Sequence, residues 1–290
     1  MSLAGTSDLL LGAVAYDPKV VTIWDGFRRW FAGRDFGFDY VLYSNYERQV
    51  DDLLAHRIDV AWNSPLAWVR ARRAAGAAGG RVTAPVMRDS DRDLTSIVIV
   101  RADSDIKTID DLRGKVVATG AVDSPQATLL PLDCLREQGV DPANELTVRR
   151  FDVGVGLHGD HVGGERDAAK ALVAGDVDAA CILAANHLVF SREGTLPANS
   201  TSVIAETTAF DHCNMTVNDT AENAAAVKRF CELLLSMDYG DAEVRPLLDL
   251  EGLKQWLPGR LELYQPLERA VDNANFYDAN GRITAADYRP

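Results

Sequence analysis

Hydrophobic and polar residues follow two alternating patterns along the chain. Residues 9–15, LLLGAVA, form a continuous apolar run that is typical of a strand covered on both faces. Asp17-Pro18 then supplies a cap and a helix start. Apolar residues recur after it at spacings of three and four, which predicts one buried helix face: Val20, Ile23, Trp24, Phe27, Trp30 and Phe31. Two further strand–helix pairs follow as FDYVLYS with NYERQVDDLLAHR, and IDVAWN with SPLAWVRARRAAG.

A second set of strands and helices begins after the long predicted strand TSIVIVRAD. The segments KVVATG, LTVRRFDV and VDAACIL have strand patterns, and SPQATLLPLDCLREQG and ERDAAKALVAG have helix patterns. TSVIAET and HCNMTVN are predicted to be strands that return the chain, and the residues after 220 are mostly helical in pattern. This alternation predicts an α/β protein with two lobes, each a mostly parallel sheet flanked by helices.

The lobes follow from where the second set of elements begins and ends. We expect lobe 1 to comprise residues 1–95 and 206–290, and lobe 2 to comprise residues 96–205. The hinge crossings would lie near 95–97 and 203–208. Because ligands of such sheets bind outside the carboxyl ends of strands, beside helix N-termini, a ligand cleft is expected between the lobes.

Polar and aromatic residues occupy several predicted strand–helix junctions. In IDVAWNSPLAWV, Ser64 is a good N-cap and Pro65 a good first helical residue. Polar or aromatic residues also stand between a predicted strand and a predicted helix in YDP, YSNY and DSPQAT. One such junction alone is explained by helix capping, whereas several at one sheet edge suggest a cleft lined with hydrogen-bond donors. The candidate ligand contacts at these junctions are Tyr16, Tyr46, Trp62, Asn63, Ser64, Ser124 and Gln126.

Composition limits the class of partner. The chain has 290 residues, of which 47% are hydrophobic, and a net charge of −13, which argues against a nucleic-acid partner. No apolar run of membrane-spanning length occurs, and the first residues lack a basic signal-peptide start. Two locations stay open: extracytoplasmic if a leader was removed, and cytoplasmic otherwise. The four cysteines are scattered without a CxxC spacing, and buried free thiols are expected.

A glycine-rich segment, GVGLHGDHVGGERDAAKAL, carries further candidate contacts. His158, His161, Glu165 and Arg166 fall within it. The histidines have three open interpretations: contacts to ligand or backbone, plain surface residues, or metal ligands. Arg166 is a candidate for binding an anion through its planar guanidinium group. Alternatively, it forms an ion pair with Asp167 or Glu165 on a helix surface. The sequence contains no dinucleotide-binding fingerprint. Residues 277–288 partly resemble a calcium-binding loop but lack its first and last ligands. No cofactor is therefore expected.

Two blocks of sequence resemble a known family. They are DVAWNSPLAWVRARRAAG and SIVIVRADSDIKTIDDLRGKVVA. The chain is similar over roughly residues 9–240 to the solute-binding proteins of phosphate, phosphite and phosphonate ABC transporters. The resemblance implies the type 2 periplasmic-binding-protein fold. It also implies ligand contacts at positions of matching type, namely Tyr16, Tyr46, Asn63-Ser64 and Thr95-Ser96.

The ligand-binding elements of that family are only partly matched. The family's Ser-Thr-Ser segment, which holds phosphonate oxygens, corresponds to Ser124-Pro125-Gln126. Its histidine–aspartate pair falls on Arg166-Asp167, and its acidic residues that meet a ligand amine fall on Leu183 and Ala185. These departures argue against a simple aminoalkylphosphonate as ligand.

Two functions from different classes remain at the level of sequence. The first is a solute-binding protein, a monomer without nucleic-acid partners, that captures a small polar or anionic molecule for an ABC transporter permease. The absence of a recognisable nucleophile–base pair favours this non-enzymatic reading. The alternative is a cytosolic enzyme of dehydratase or decarboxylase type on the same fold, with His158 or His161 as base and Cys181 or Cys213 as further candidates.

Overall fold

The computed structural model describes residues 8–159, 163–219 and 223–290. It contains eleven described strands: β1 (Leu9–Val14), β2 (Phe38–Tyr43), β3 (Val60–Asn63), β4 (Val82–Arg88), β5 (Ser96–Arg101), β6 (Val116–Thr119), β7 (Thr147–Arg150), β8 (Ala179–Leu183), β9 (Thr201–Glu206), β10 (Asn214–Asn218) and β11 (Trp256–Pro258). The nine described α-helices are α1 (Lys19–Ala32), α2 (Tyr46–Leu54), α3 (Pro65–Ala77), α4 (Leu130–Glu137), α5 (Glu165–Ala174), α6 (Ala184–Glu193), α7 (Ala224–Leu235), α8 (Arg245–Glu251) and α9 (Gln265–Asn273).

The chain divides into two compact units. The first unit runs to Arg92 and also includes His212–Glu262 and Ala279–Arg282. The second unit comprises Asp93–Asp211, Leu263–Asp278 and Ile283–Pro290. The chain passes between the units at 92/93 and 211/212, and hinge crossings near 95–97 and 203–208 stay a prediction.

The end of the chain groups differently from the sequence expectation. Residues 263–278 and 283–290, expected in lobe 1, belong to the second unit. Helix α9 is bound there by Asp133 of α4, whose carboxylate accepts from Arg269 Nε at 3.1 Å and from Asn273 Nδ2 at 2.7 Å. The side chain of Asp133 is 3% exposed, so these two bonds satisfy a buried carboxylate.

The first unit is built on a six-stranded sheet in the order β11-β4-β10-β3-β1-β2. Strand β1 pairs in parallel with β2 and β3, whereas β10 runs antiparallel to β3 and β4. Its core is rich in aromatic residues, and the rings of Phe38 and Phe230 stack with centroids 5.9 Å apart. Of the six predicted core positions of α1, five are buried, and Trp30 lies partly exposed beneath the Arg34 guanidinium.

The second unit is built on a five-stranded sheet in the order β7-β6-β8-β5-β9. Strands β7, β6 and β8 are mutually parallel, and β5 is antiparallel to β8 and β9. Along β5, Ile97 and Ile99 enter one hydrophobic cluster while Val98 and Val100 enter another. The sheet is therefore covered on both faces, as its continuous apolar run predicts. Both sheets are mixed rather than mostly parallel, within the α/β class that was predicted.

Candidate ligand-binding site

The junction between β6 and α4 brings several sequence-predicted residues together. After β6, one wide helical turn, Pro125–Leu129, leads directly into α4. Ser124 caps this turn, because its Oγ accepts a hydrogen bond from the backbone N–H of Ala127 at 3.2 Å. The capping prediction at Ser124 is confirmed. As a consequence, the hydroxyl already serves the helix start.

Asp123, which sequence reasoning missed, lies next to this cap. Its side chain is buried, and Oδ2 accepts from the backbone N–H groups of Gly156 at 2.7 Å and His158 at 3.0 Å. Its Oδ1 is buried and has no hydrogen-bond partner among the described residues. Burial raises the pKa of Asp123, while the nearby His158 and the two N–H donors oppose that rise.

The glycine-rich loop at 154–159 folds onto the same turn. Gln126 Nε2 donates to the carbonyl of Gly159 at 3.0 Å. Gly159 has φ +58°, and a Cβ there would stand 2.6 Å from Cβ of Ser124. Only glycine therefore permits this approach. His158 is 1% exposed, which excludes the plain-surface interpretation, and His161 lies outside the described residues.

Glu165 connects this junction to β8 and α6. It is 1% exposed, and its Oε2 accepts from the backbone N–H of Leu183 at 2.8 Å and from Asn186 Nδ2 at 2.9 Å. Gln126 Nε2 approaches Oε1 at 3.5 Å. A carboxylate thus stands at the start of α6, where sequence matching placed only the non-acidic Leu183 and Ala185. It is contributed by α5 through tertiary contact.

Ser96 lies opposite Leu183 in the β5–β8 pairing. Its backbone N–H donates to Thr207 Oγ1 at 3.0 Å, and the carbonyl of Thr95 accepts from Ala184 N–H at 2.9 Å. The Ser96 hydroxyl is buried and has no partner among the described residues. Three of the predicted contacts are buried polar residues of the second unit: Ser96, Ser124 and Gln126.

Arg166 forms an ion pair with Glu193. Its Nε and Nη2 donate to the two carboxylate oxygens of Glu193 at 2.8 and 2.9 Å. Its guanidinium also stands 5.3 Å from the ring centroid of Phe190. Glu193 therefore occupies the Nε–Nη2 edge of the guanidinium, and anion binding by Arg166 stays a prediction. The surface-pair alternative was right in kind, but the partner lies 27 residues away.

The first-unit junctions are mostly occupied by internal contacts. Asn63 is fully buried, accepts from Gln49 Nε2 at 2.8 Å and donates to Thr216 Oγ1 at 2.9 Å. Ser64 caps α3 by accepting from Ala67 N–H at 3.1 Å. These contacts explain both side chains by structure alone.

The aromatic candidates of the first unit differ in exposure. Trp62 packs edge-on against Trp256 at 5.7 Å between centroids, and the Arg88 guanidinium lies 5.0 Å from its ring. Tyr46, the first residue of α2, is 2% exposed. Tyr16 is only half-buried after the end of β1. Trp62 therefore packs in the core, and ligand contact by Tyr16, Tyr46 and Trp62 stays a prediction.

A second buried cluster, which the sequence did not reveal, surrounds Arg88. Its Nε and Nη2 donate to both oxygens of Asp91 at 2.5 and 3.0 Å, and Nη1 donates to Glu251 Oε1 at 3.3 Å. His212 Nδ1 stands 3.5 Å from Asp91 Oδ1 and 3.1 Å from Cys213 Sγ.

The ligand atoms of Asp91, His212 and Cys213 lie within 4.8 Å of one another, as in a metal site. The Arg88 guanidinium already neutralises Asp91, however, and lowers the pKa of that carboxyl against the effect of burial. An ion-pair network accounts for the cluster.

Burial disfavours the thiolate form at Cys134, Cys181 and Cys231. Cys134, Cys181 and Cys213 are buried and Cys231 is half-buried, and all four are free. Burial raises the pKa of Cys181, and raises that of Cys231 to about 11. A catalytic cysteine needs the opposite shift.

The comparisons with known proteins decide the family. The sequence matches the family model described as "ABC transporter, phosphonate, periplasmic substrate-binding protein" over residues 16–264. The chain belongs to this family. It is a solute-binding component of an ABC transporter, and membership implies a small-molecule ligand, a transporter permease as partner and an extracytoplasmic location. Binding rather than catalysis is thereby confirmed, and nothing supports the enzyme alternative.

Solved structures with the same fold include other solute-binding proteins. PhnD1 of Prochlorococcus marinus, in complex with methylphosphonate, has a TM-score of 0.67 and 15% identity, covering 92% of this chain and 98% of its own. XAC2383 of Xanthomonas citri, bound to ATP, has a TM-score of 0.68 and 16% identity, covering 91% and 97%. The aliphatic sulphonate binding protein SsuA of Escherichia coli has a TM-score of 0.58 and 16% identity, covering 96% and 98%. These likenesses confirm the predicted fold.

A curated relative is an uncharacterized protein of Haemophilus influenzae. It is 28% identical over 118 residues, which span 41% of this chain and 84% of the relative. Among the described residues of the solute-binding protein, no helix has the length and apolar character needed to cross a membrane.

Proposed function

We propose that this solute-binding protein captures a small polar solute other than a simple aminoalkylphosphonate, and that the β6–α4 junction of the second unit contacts it. Support comes from buried polar groups of the second unit, one on β5 and one at this junction. Ser96 Oγ and Gln126 Oε1 are buried without partners among the described residues. Buried polar groups are normally hydrogen-bonded, so a polar guest is the natural partner for them. Ser124 and Thr95 stay proposed contacts beside them.

The observation that carries the proposal is the set of hydrogen-bond donors that residues 124–126 offer at the helix start. An oxyanion at a helix start needs free N–H and O–H donors. Pro125 has no N–H, and the Ser124 hydroxyl accepts from Ala127. The amide donor of Gln126 is directed to the Gly159 carbonyl. Pro125 therefore lacks a backbone donor and the Gln126 side-chain amide is engaged, so the Ser124 O–H is the side-chain donor left for a phosphonate group at these three positions.

The support for an anionic solute is correspondingly weaker. Arg166 was the side chain expected to grip an anion, and Glu193 occupies it on the protein surface. His158 is buried, and its backbone N–H donates to the Asp123 carboxylate at 3.0 Å. We therefore favour a neutral or hydrogen-bond-donating solute over an anion.

The protein would deliver this solute to its transporter as a monomer, either free outside the cytoplasm or held there by a lipid anchor. Size-exclusion chromatography with light scattering tests the monomer, and a mass near twice 31.6 kDa would contradict it.

Mass spectrometry of small molecules that co-purify with the native protein tests the solute class. Thermal unfolding with methylphosphonate, 2-aminoethylphosphonate, sulfate and any identified metabolite then ranks affinities, because a ligand at about 100 times its Kd adds about 2.7 kcal/mol. We expect no stabilisation by the phosphonates. Tight binding of 2-aminoethylphosphonate would overturn the proposal.

A further inference from the structure

The unpartnered oxygens at the β6–α4 junction have one chemical feature in common. Asp123 Oδ1 and Gln126 Oε1 are both buried hydrogen-bond acceptors, on side chains that are 0% and 3% exposed. A buried acceptor without a donor costs free energy, and more so when it carries charge. Two such atoms three residues apart in sequence point to a group that supplies donors.

The glycine loop fixes which atom of each side chain is left over. Asp123 gives Oδ2 to the N–H groups of Gly156 and His158. Gln126 gives Nε2 to the carbonyl of Gly159, and only its amide nitrogen can donate there. The hydrogen-bond network therefore assigns the oxygen, not the nitrogen, as the free atom of Gln126. Each side chain is anchored at one end and presents an acceptor at the other.

The charge of the site points the same way. Asp123 in its ionised form is stabilised by two backbone N–H groups and by the nearby His158, but its buried Oδ1 receives no hydrogen bond from the described residues. Glu165 adds a second buried carboxylate, 3.5 Å from Gln126 Nε2. Arg166, which follows it directly, is held in a bidentate pair with Glu193. A guest with positive charge would offset the cost of these carboxylates, and a charge-assisted hydrogen bond is about twice as strong as a neutral one.

From these contacts we infer that the solute presents a protonated amine or guanidinium to Asp123 Oδ1 and Gln126 Oε1. The inference rests on the proposed function and names the ligand class of that same site. Asp123 is then the residue that selects for a cationic hydrogen-bond donor. It acts at the helix start where an oxyanion would otherwise be held.

Isothermal titration calorimetry with putrescine, agmatine and ethanolamine, set against inorganic phosphate and methylphosphonate, tests this directly. At least one cationic probe should bind at concentrations up to about 10 mM, at least about tenfold more tightly than either anion. Binding of none of the cationic probes, or preference for an anion, overturns the inference.

Variants locate the contact. In Asp123→Asn the amide oxygen is held by Gly156 and His158 N–H, so an amide nitrogen replaces the free acceptor. We expect at least about a tenfold loss of cation affinity. Asp103→Asn, which changes a carboxylate whose side chain is 88% exposed, should leave affinity unchanged. Gln126→Met removes the second acceptor at similar volume and should also weaken binding.

The two levels of proposal fail differently. If a solute binds wild type and Asp123→Asn with the same affinity, the inferred cationic contact is wrong, but the proposed solute binding still stands. A co-purified solute without a protonatable nitrogen would do the same. If neither the probes nor any extracted metabolite binds the folded protein, the proposed function fails with it. Circular dichroism of each variant shows that it is folded.

Discussion

Asp123 accepts a 3.0 Å hydrogen bond from the backbone N–H of His158, which ties the start of the α4 region to the glycine loop. The same carboxylate is buried, and its other oxygen has no partner among the described residues. One side chain therefore both organises the loop and retains a buried oxygen that receives no hydrogen bond from the described residues. Strain of this kind is typical of binding sites, where the ligand completes the hydrogen bonding.

Replacing Asp123 by asparagine should stabilise the ligand-free protein at neutral pH. The pKa of Asp123 is raised in the folded state, so folding is penalised once pH exceeds the ordinary value, near 4, and the carboxyl must ionise. Removing that penalty should add on the order of 1 kcal/mol at pH 7. The gain should vanish as pH falls towards about 4.

Urea unfolding of both proteins between pH 4 and neutrality measures this effect. A gain that does not depend on pH would show that ionisation is not its source. A loss of stability at pH 7 would show that the carboxylate is better compensated than its contacts indicate.

Replacing Asp91 by asparagine should have the opposite effect. The side chains of Arg88 and Asp91 are 9% and 3% exposed, and breaking a buried pair costs about 3–5 kcal/mol. Because Glu251 still pairs with Arg88 Nη1 at 3.3 Å, we expect a loss of stability at the lower end of that range. The pKa of Asp91 is lowered in the folded state. Its contribution is therefore present above about pH 4 and is lost as pH falls below that value.

Denaturant unfolding of Asp91→Asn, with the exposed Asp103→Asn as control, tests this ion pair. The difference between wild type and Asp91→Asn should shrink in acid, whereas the control should stay within about 0.5 kcal/mol of wild type. Equal stability of the two variants at pH 7 would contradict the assignment.

Removing Arg166 should affect stability slightly and ligand binding not at all. The Arg166–Glu193 pair is about a third exposed on each side, and pairs of this kind contribute about 0–1 kcal/mol. Arg166→Ala and Glu193→Ala should therefore behave alike in unfolding and in ligand-induced thermal shift. Loss of the shift in Arg166→Ala alone would restore its direct role in binding.

Replacing Gly159 by alanine should be more damaging than the same change at Gly194. Both residues have positive φ, but a Cβ at Gly194 meets nothing within 4 Å, whereas at Gly159 it meets Ser124 at 2.6 Å. Overpacking adds about 1–3 kcal/mol to the backbone strain that both variants share. Thermal unfolding of the two variants isolates the clash, and equal losses would indicate that the loop moves away at little cost.

Local sequence signals determined most of the secondary structure. Apolar spacing placed α1 and the both-faces-covered strand β5, and cap residues placed the helix starts at Ser64 and Ser124. The glycines at 175 and 194 end α5 and α6 in left-handed conformation. These interactions join residues that are at most a few positions apart, so they can be predicted from the sequence alone.

The sequence pattern did not predict strands β4 and β11, and the reasons are physical. Strand β4 contains Pro85, which weakens a strand pattern, and β11 is only three residues long. Both are held by antiparallel pairing with each other, and β4 also with β10. The partner strand supplied information that the segment itself lacks.

Only the tertiary structure decided the chemistry of the candidate site. The sequence placed Ser124 and Gln126 at a helix start, but the buried carboxylate of Asp123 acquired its importance from a loop more than thirty residues away. In the same way, Arg166 forms an ion pair with Glu193, and Trp62 packs against Trp256 in the core. Periodicity and capping act over a few residues and are fixed by local order. Ion pairs and burial depend on which distant segments the fold brings together, and no spacing along the chain specifies them.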